Sequence, residues 1–308
     1  MKRAALSVLR VGSVVPVVSL VAFLSIASSA DAQMYETVGV RAQGLAGAFV
    51  GVADDATATW WNPAGLAGGP YFDLIAALER PDAAPDSRPI AVAIAMPSLG
   101  LSYYRLPVSQ MQSSGSTAAE GSGRQDEGYL SQFGATFGQS IGPVVIASTV
   151  KVLNAHGETH ADLDLGAMLT IHRLKAGLSL RNLHETTFAS GPDALVLQRA
   201  ARAGVSVGAA PGGVALLVAA DADLNAVTTP LGRQRRVAGG MEAWLFKRVI
   251  GVRGGLSAET IQHTSSRSGG ASVMVSSGRY LKSYVDAQWT GGSDELRRGW
   301  AGQFRLTF

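Results

Sequence analysis

From about residue 72 onward, apolar and polar side chains alternate with period two over segments of about ten residues, the length a tilted strand needs to cross a bilayer. Near the end of the chain, Trp300, Gly302, Phe304, Leu306 and Phe308 fall on one face, and Ala301, Gln303, Arg305 and Thr307 on the other. Leu163, Leu165, Ala167, Leu169 and Ile171 stand in the same way against Asp162, Asp164, Gly166, Thr170 and His172. An apolar outside and a polar inside is the pattern of a closed barrel in lipid. Strands are predicted near 72–79, 89–96, 99–105, 128–139, 143–156, 160–172, 174–181, 198–209, 213–225, 233–246, 248–258, 269–277, 279–290 and 297–308. That is about fourteen, an even number as single-chain barrels of this kind require. Short links at Pro97-Ser98, Ile141-Gly142, Arg173, Pro211-Gly212, Lys247 and Gly278-Arg279 are interleaved with longer ones at 106–127, 182–197, 226–232 and 259–268. Barrels of this kind carry short turns on the periplasmic side and longer loops outside. The polar stretch from Pro107 to Glu127 is therefore expected to be extracellular. A soluble β-sandwich also alternates, but its apolar faces share one core and it has no need of this two-length rhythm.

The N-terminus carries the address. Lys2, Arg3 and Arg10 precede an apolar run from Val11 to Ala27, and Ala30-Asp31-Ala32 offers small residues where a signal peptidase reads. Residues 1–32 are expected to be a signal peptide, cleaved before Gln33; the alternative, an uncleaved anchor, is disfavoured by Pro16. No later run reaches the length of a membrane helix, so a helical membrane protein is excluded. The chain of 308 residues has no cysteine, so stability must come from pairing and burial rather than disulfides. Lys+Arg total 26 against 23 Asp+Glu, and the bases are scattered rather than gathered on one face, which excludes a nucleic-acid binder.

Residues 33–71 read differently. Gly39, Gly44, Gly47 and Gly51 punctuate small side chains, Asp54 and Asp55 are placed to cap a helical turn, and Asn62-Pro63 to end it. A barrel of this strand number has an interior that wall side chains fill poorly, so this segment is expected to form a lumenal plug, with 72–308 as the barrel. Trp60 and Trp61 lie in it, either packing it against the wall or meeting an apolar ligand; packing is the reading favoured.

The run Gly39-Val-Arg-Ala-Gln-Gly-Leu-Ala-Gly-Ala-Phe-Val-Gly-Val-Ala-Asp-Asp-Ala, followed by Trp60-Trp61-Asn62-Pro63-Ala64-Gly65-Leu66, resembles the N-terminal motif of the FadL-type outer-membrane transporter superfamily, with the PorV/PorQ branch the nearer match. The resemblance implies a fourteen-stranded outer-membrane barrel with a lumenal plug. It implies either passage of small hydrophobic molecules or, in PorV-like members, service to a protein secretion or surface-assembly system.

Inward charges are expected to pair between neighbouring strands, Asp162 and Asp164 with Lys151 and Lys175, and Asp221 and Asp223 with Arg202 and Arg236. The functional reading is a polar lumen that selects solutes or holds the plug; the reading favoured is an ionic network that only fills space, because matched pairs neutralise the field a selective pore requires, and a continuous apolar conduit is unfavoured. Gly204-Val-Ser206-Val-Gly208 matches the serine-hydrolase pattern, but no helix follows, so no enzyme is expected. His156, Glu158 and His160 are too few for a metal site, and neither metal nor cofactor is expected. Trp289, Trp300 and Tyr280 are placed for an interfacial girdle in contact with outer-membrane lipid. Phe308, with Phe304 and Trp300 on the same face, resembles the terminal-strand signal read by the barrel assembly machinery. An apolar last strand that waits unpaired invites aggregation, which gives that signal a physical basis.

Overall fold

The structure is a computed structural model that describes residues 38–82, 85–107, 129–188, 195–229 and 232–308. The expected signal peptide and most of the long loop after Pro107 lie outside these residues.

Fourteen antiparallel strands close into one barrel. They are β1 (Asp73–Pro81), β2 (Ile90–Met96), β3 (Leu99–Pro107), β4 (Tyr129–Ile141), β5 (Val144–Ala155), β6 (Glu158–Ile171), β7 (Leu174–Arg181), β10 (Ala200–Ala209), β11 (Ala215–Asp223), β14 (Arg236–Leu245), β15 (Ile250–Glu259), β16 (Ser265–Ser277), β17 (Lys282–Gly292) and β18 (Gly299–Thr307). The remaining four form two hairpins on the long connections, β8 (Thr187–Phe188) with β9 (Leu195–Val196), and β12 (Val227–Thr229) with β13 (Gly232–Gln234). Closure is by β1 on β18, from Asp73 opposite Thr307 to Pro81 opposite Gly299. At this seam the Phe308 ring stacks on Phe72 with centroids 5.5 Å apart, and the two residues exchange backbone hydrogen bonds.

The alternation predicted from the sequence is the alternation of the wall. Leu101, Phe133, Val150, Val218, Met241, Leu256 and Phe304 are exposed on the outside, while Ser102, Thr149, Lys151, Asp221, Glu242, Gln288 and Gln303 are buried inside. A soluble monomer rarely leaves so continuous an apolar surface in water, but a barrel in lipid requires it. Among the described residues no helix is long and apolar enough to cross a membrane.

The connections keep their two-length rhythm with one exception. β5 and β6 are joined on the long-loop side by His156-Gly157 alone, both at positive φ (51° and 78°), the geometry of a two-residue hairpin. The loop expected over 259–268 shrinks to residues 260–264, because Ser266 and Ser268 are inward members of β16 whose small polar side chains made the strand look like loop. The expected open connection over 182–197 instead carries β8 and β9 back over the barrel mouth, where Phe188 and Leu195 bury against Leu130 and Leu153. These contacts are distant in sequence, which is why composition alone read the segment as loop.

Candidate functional site: the lumenal plug

Residues 38–68 run inside the barrel. They contain α1 (Val40–Gly44), α2 (Ala58–Trp61) and a 3-10 turn over Pro63–Gly68. Val38, Val40, Leu45, Phe49, Val52, Trp60, Trp61 and Leu66 are all at most 2 % exposed, so the segment is as buried as a domain core. Gly47, at φ 80°, closes α1 by donating its N–H to the Ala42 carbonyl at 2.9 Å, a left-handed termination that suits glycine. Asp55 accepts the Thr57 N–H at 2.9 Å just ahead of α2. Asn62 then caps the next turn by accepting from Ala64 N, and Pro63 follows at its first position, so Asn62-Pro63 ends α2 as expected.

Asp54 corrects the sequence reading, because it caps nothing and takes part in an ionic latch. Arg41, in α1, donates from Nε and Nη2 to the two oxygens of Glu242 on β14 at 2.9 and 2.8 Å, a bidentate pair. Its Nη1 reaches Asp54 at 2.5 Å and Asp55 at 3.4 Å. Burial alone would push the Asp54 carboxyl up, but Arg41 and Lys175 outweigh it and hold the group down at about 2. Glu242 also accepts from Trp244 Nε1 at 2.9 Å. One plug arginine thus gathers carboxylates from two plug residues and the wall.

Asp221 takes plug donors as well, and Lys175 departs from expectation. Asp221 Oδ2 accepts the backbone N–H groups of Phe49 and Val50, each at 2.7 Å, while Arg202 and Arg236 lie near enough to act on it electrostatically. Lys175 sits 3.7 Å from Asp54 rather than beside Asp162 or Asp164, because the register sets it opposite Thr170, near the turn, and leaves Arg181 to approach Asp164 at 3.8 Å. Two pairs stand as read: Lys151 with Asp164 at 2.6 Å and Asp162 at 3.5 Å, and Arg202 with Asp223 at 2.6 Å. The Arg236 backbone N–H reaches Asp223 at 2.8 Å, and its guanidinium lies beside Gly47, where a Cβ would be 2.9 Å from Nη2.

Further polar contacts fix the plug along its length. Ser206, the centre of the hydrolase-like pattern, lies mid-strand in β10 and donates its hydroxyl to the Gly51 carbonyl at 2.7 Å. It is a plug contact. Asn62 Nδ2 bridges Val50 O at 3.0 Å and Ala167 O of β6 at 3.1 Å. Asp73 accepts from Ala56 N at 2.7 Å and from Arg305 Nε at 2.6 Å. Ser268 donates to Gly44 O at 3.1 Å, and Gly44 packs on Arg253, whose Cδ a Cβ would approach to 2.6 Å. Trp60 packs edge-on to Tyr104 of β3 at 5.2 Å with the Arg181 guanidinium 3.7 Å from its ring, while Trp61 donates Nε1 to Val38 O at 2.9 Å. Both tryptophans pack the plug, as expected. Elsewhere, His160 lies 3.4 Å from Glu158, with the His156 turn alongside, and among the described residues no group of three His, Cys, Asp or Glu is disposed to hold a metal. Trp289 and Trp300 are cross-strand partners on the outside, 51 % and 54 % exposed, and Tyr280 is exposed at the opposite rim.

Wall glycines allow the plug backbone to come this close. A Cβ on Gly177 would lie 2.3 Å from Val50 O, and one on Gly204 would lie 2.1 Å from the Asp221 carboxylate and 2.7 Å from Gly51 N. Gly177→Val is accordingly expected to leave a strand-compatible wall but to expel the plug. Limited trypsin digestion of the assembled barrel, attacking at Arg41, should then proceed where wild type resists. Wild-type resistance in that variant would contradict the contact.

The sequence reading missed Arg41, Glu242, Asp73 and Arg305. Glu242 had a usable signal, since it shares inward parity with Arg236 on one strand. Arg41 lay inside the motif that was read, but nothing local says that it would face an acid two hundred residues on.

No protein-family profile matches the chain, and no curated protein matches it. Solved structures do. The toluene transporter TbuX of Ralstonia pickettii superposes with a TM-score of 0.57 at 10 % identity, over 88 % of this chain and 97 % of that one. A FadL homologue of Pseudomonas aeruginosa gives 0.54 at 11 %, over 89 % and 98 %. The CymD monoaromatic hydrocarbon channel gives 0.53 at 10 %, over 87 % and 95 %. Taken with the closed fourteen-stranded barrel and its buried N-terminal plug, these superpositions give the chain the fold of the FadL-type outer-membrane transporters.

Proposed function

We propose that the protein is an outer-membrane channel, exported by the signal peptide at residues 1–32, that admits small hydrophobic molecules past residues 33–71 as a movable plug. The observation that supports this most is the plug itself: an apolar segment inside a polar-walled lumen, held by a countable set of hydrogen bonds and ion pairs. An open water-filled porin needs no such segment, whereas a gated route for apolar solutes does. Superposition on channels described as carrying toluene and monoaromatic hydrocarbons supports the ligand class. In proteoliposomes the protein should bind monoaromatic or acyl probes and accelerate their uptake over protein-free vesicles. Failure on both counts would sink the reading.

A second reading, PorV-like service as a membrane partner of a secretion or surface-assembly machine, is favoured by the depth at which the plug is buried. Recovery of a stoichiometric partner from solubilised outer membranes would favour it, and recovery of none would count against it.

The same reading assigns Phe308 to assembly. Its ring packs on Phe72 and Tyr71 where β18 closes on β1, so Phe308→Asp puts a carboxylate at the seam. Less heat-modifiable protein in outer membranes, with export across the inner membrane unchanged, is the expected result. Normal assembly would remove Phe308 from the argument.

A further inference from the structure

The short-turn rim of the barrel, periplasmic in the orientation just proposed, has a one-sided charge. Among the described residues its exposed basic side chains are His172 and Arg173 on the β6–β7 turn, Lys247 and Arg248 on the β14–β15 turn, and Arg279 and Lys282 around the β16–β17 turn. The exposed side-chain carboxylates among the described residues, Asp82, Asp86, Glu158, Glu185 and Glu295, are all at the other end. Acids do exist near the short-turn end, but they are committed inward: Glu242 and Asp54 to Arg41, and Asp73 to Arg305.

Inside this rim a cavity of about 360 Å³ opens below the plug. Arg173 and Arg248 stand at its mouth, and Leu217 and Trp244 line its wall. Among the described residues neither arginine forms an ion pair, whereas Arg41 deeper in the same cavity is saturated with carboxylates. The site therefore offers two guanidiniums without an ion pair beside an apolar wall of Leu217 and Trp244, above the neutralised Arg41 cluster and within a wider arc of positive charge. Anionic lipid headgroups could neutralise the outer arc, but the bilayer does not reach into the mouth of a barrel. The arc is spread over three separate turns of the rim, which suits a polyvalent partner.

We propose that this mouth docks an acidic peptide segment of a periplasmic partner protein, with carboxylates on Arg173 and Arg248 and one apolar side chain against Leu217 and Trp244. The proposal uses the membrane orientation given above but not its ligand, so it stands or falls separately from hydrophobic transport. Guanidiniums suit such a partner because each presents a fork of donors that matches a carboxylate. Steering by the surrounding arc makes association fast and weakens it with added salt.

The test uses the full assembled protein in nanodiscs of zwitterionic lipid, with a fluorescent peptide that alternates glutamate and leucine. Expected are saturable one-to-one binding that weakens with salt, and a change in intrinsic fluorescence that is absent in Trp244→Phe. Arg173→Glu combined with Arg248→Glu should weaken binding by at least about tenfold, as loss of complementary interface charge does. Arg233→Glu combined with Arg235→Glu, at the opposite rim, should leave it unchanged; heat-modifiability confirms that all variants are folded. Equal affinity in the Arg173/Arg248 variant, equal loss in the Arg233/Arg235 variant, or equally tight binding of an all-glutamate peptide would overturn the proposal. Full displacement of the peptide by millimolar decanoate would also overturn it, in favour of a small-anion site.

Discussion

Barrels that lack residues 33–71 will fold and conduct. The strands pair with one another and not with the plug, so heat-modifiability should survive the deletion. The lumen would then be walled by groups now covered, among them Asp221, Ser206, Glu242 and Gln303, and water would replace the plug's backbone and apolar side chains. In planar bilayers wild type should be closed or rarely open, while the deletion should give a steady ionic current, as barrels with an unfilled lumen do. Cells that carry it should become sensitive to polar antibiotics that the intact protein excludes. Unchanged conductance would place residues 33–71 outside the permeation route.

Arg41→Ala should weaken the ionic hold on the plug more than any other single charge removal. It leaves Glu242, which is 3 % exposed, with only the longer Arg253 ion pair at 3.7 Å and Asp54 with only the Lys175 one at 3.7 Å, and it takes the 3.4 Å arginine from Asp55, which is 2 % exposed. Breaking a buried pair by removing one partner costs about 3–5 kcal/mol. At about 1.4 kcal/mol per tenfold, that shifts the ratio of docked to undocked plug by more than about a hundredfold. The readout is open probability in bilayers together with trypsin cleavage within residues 33–71. Arg41→Lys keeps the charge but loses the two-pronged contact, so it should fall between. Adding Glu242→Gln to Arg41→Ala should restore part of the closure, because one unpaired charge is removed. Wild-type closure in Arg41→Ala would show that glycine-lined packing, and not this latch, holds the plug.

The two experiments separate packing from electrostatics. The deletion removes both, whereas Arg41→Ala leaves Leu45 against Gly240 and Gly255, and Val50 against Gly177, and removes only the ionic contribution.

The barrel, its strand number, and its inside and outside are legible in the letters of the chain, because each is written in short-range alternation. Side-chain direction in a strand has period two, so Phe304 outside and Gln303 inside follow from neighbouring letters alone. The turn at Asn62-Pro63 is likewise local chemistry. Which groups meet across the lumen is set by register and by the path of the plug. Whether Lys175 faces Asp164 or Asp54 depends on the register of β6 against β7, which offsets the partners by several residues without changing which way any side chain points. Asp221 could be read as an arginine's partner until the plug backbone was placed against it, since amide donors leave no mark in a sequence. The pairing of Arg41 with Glu242 spans 201 positions, and it exists because barrel closure and the path of the plug bring them together.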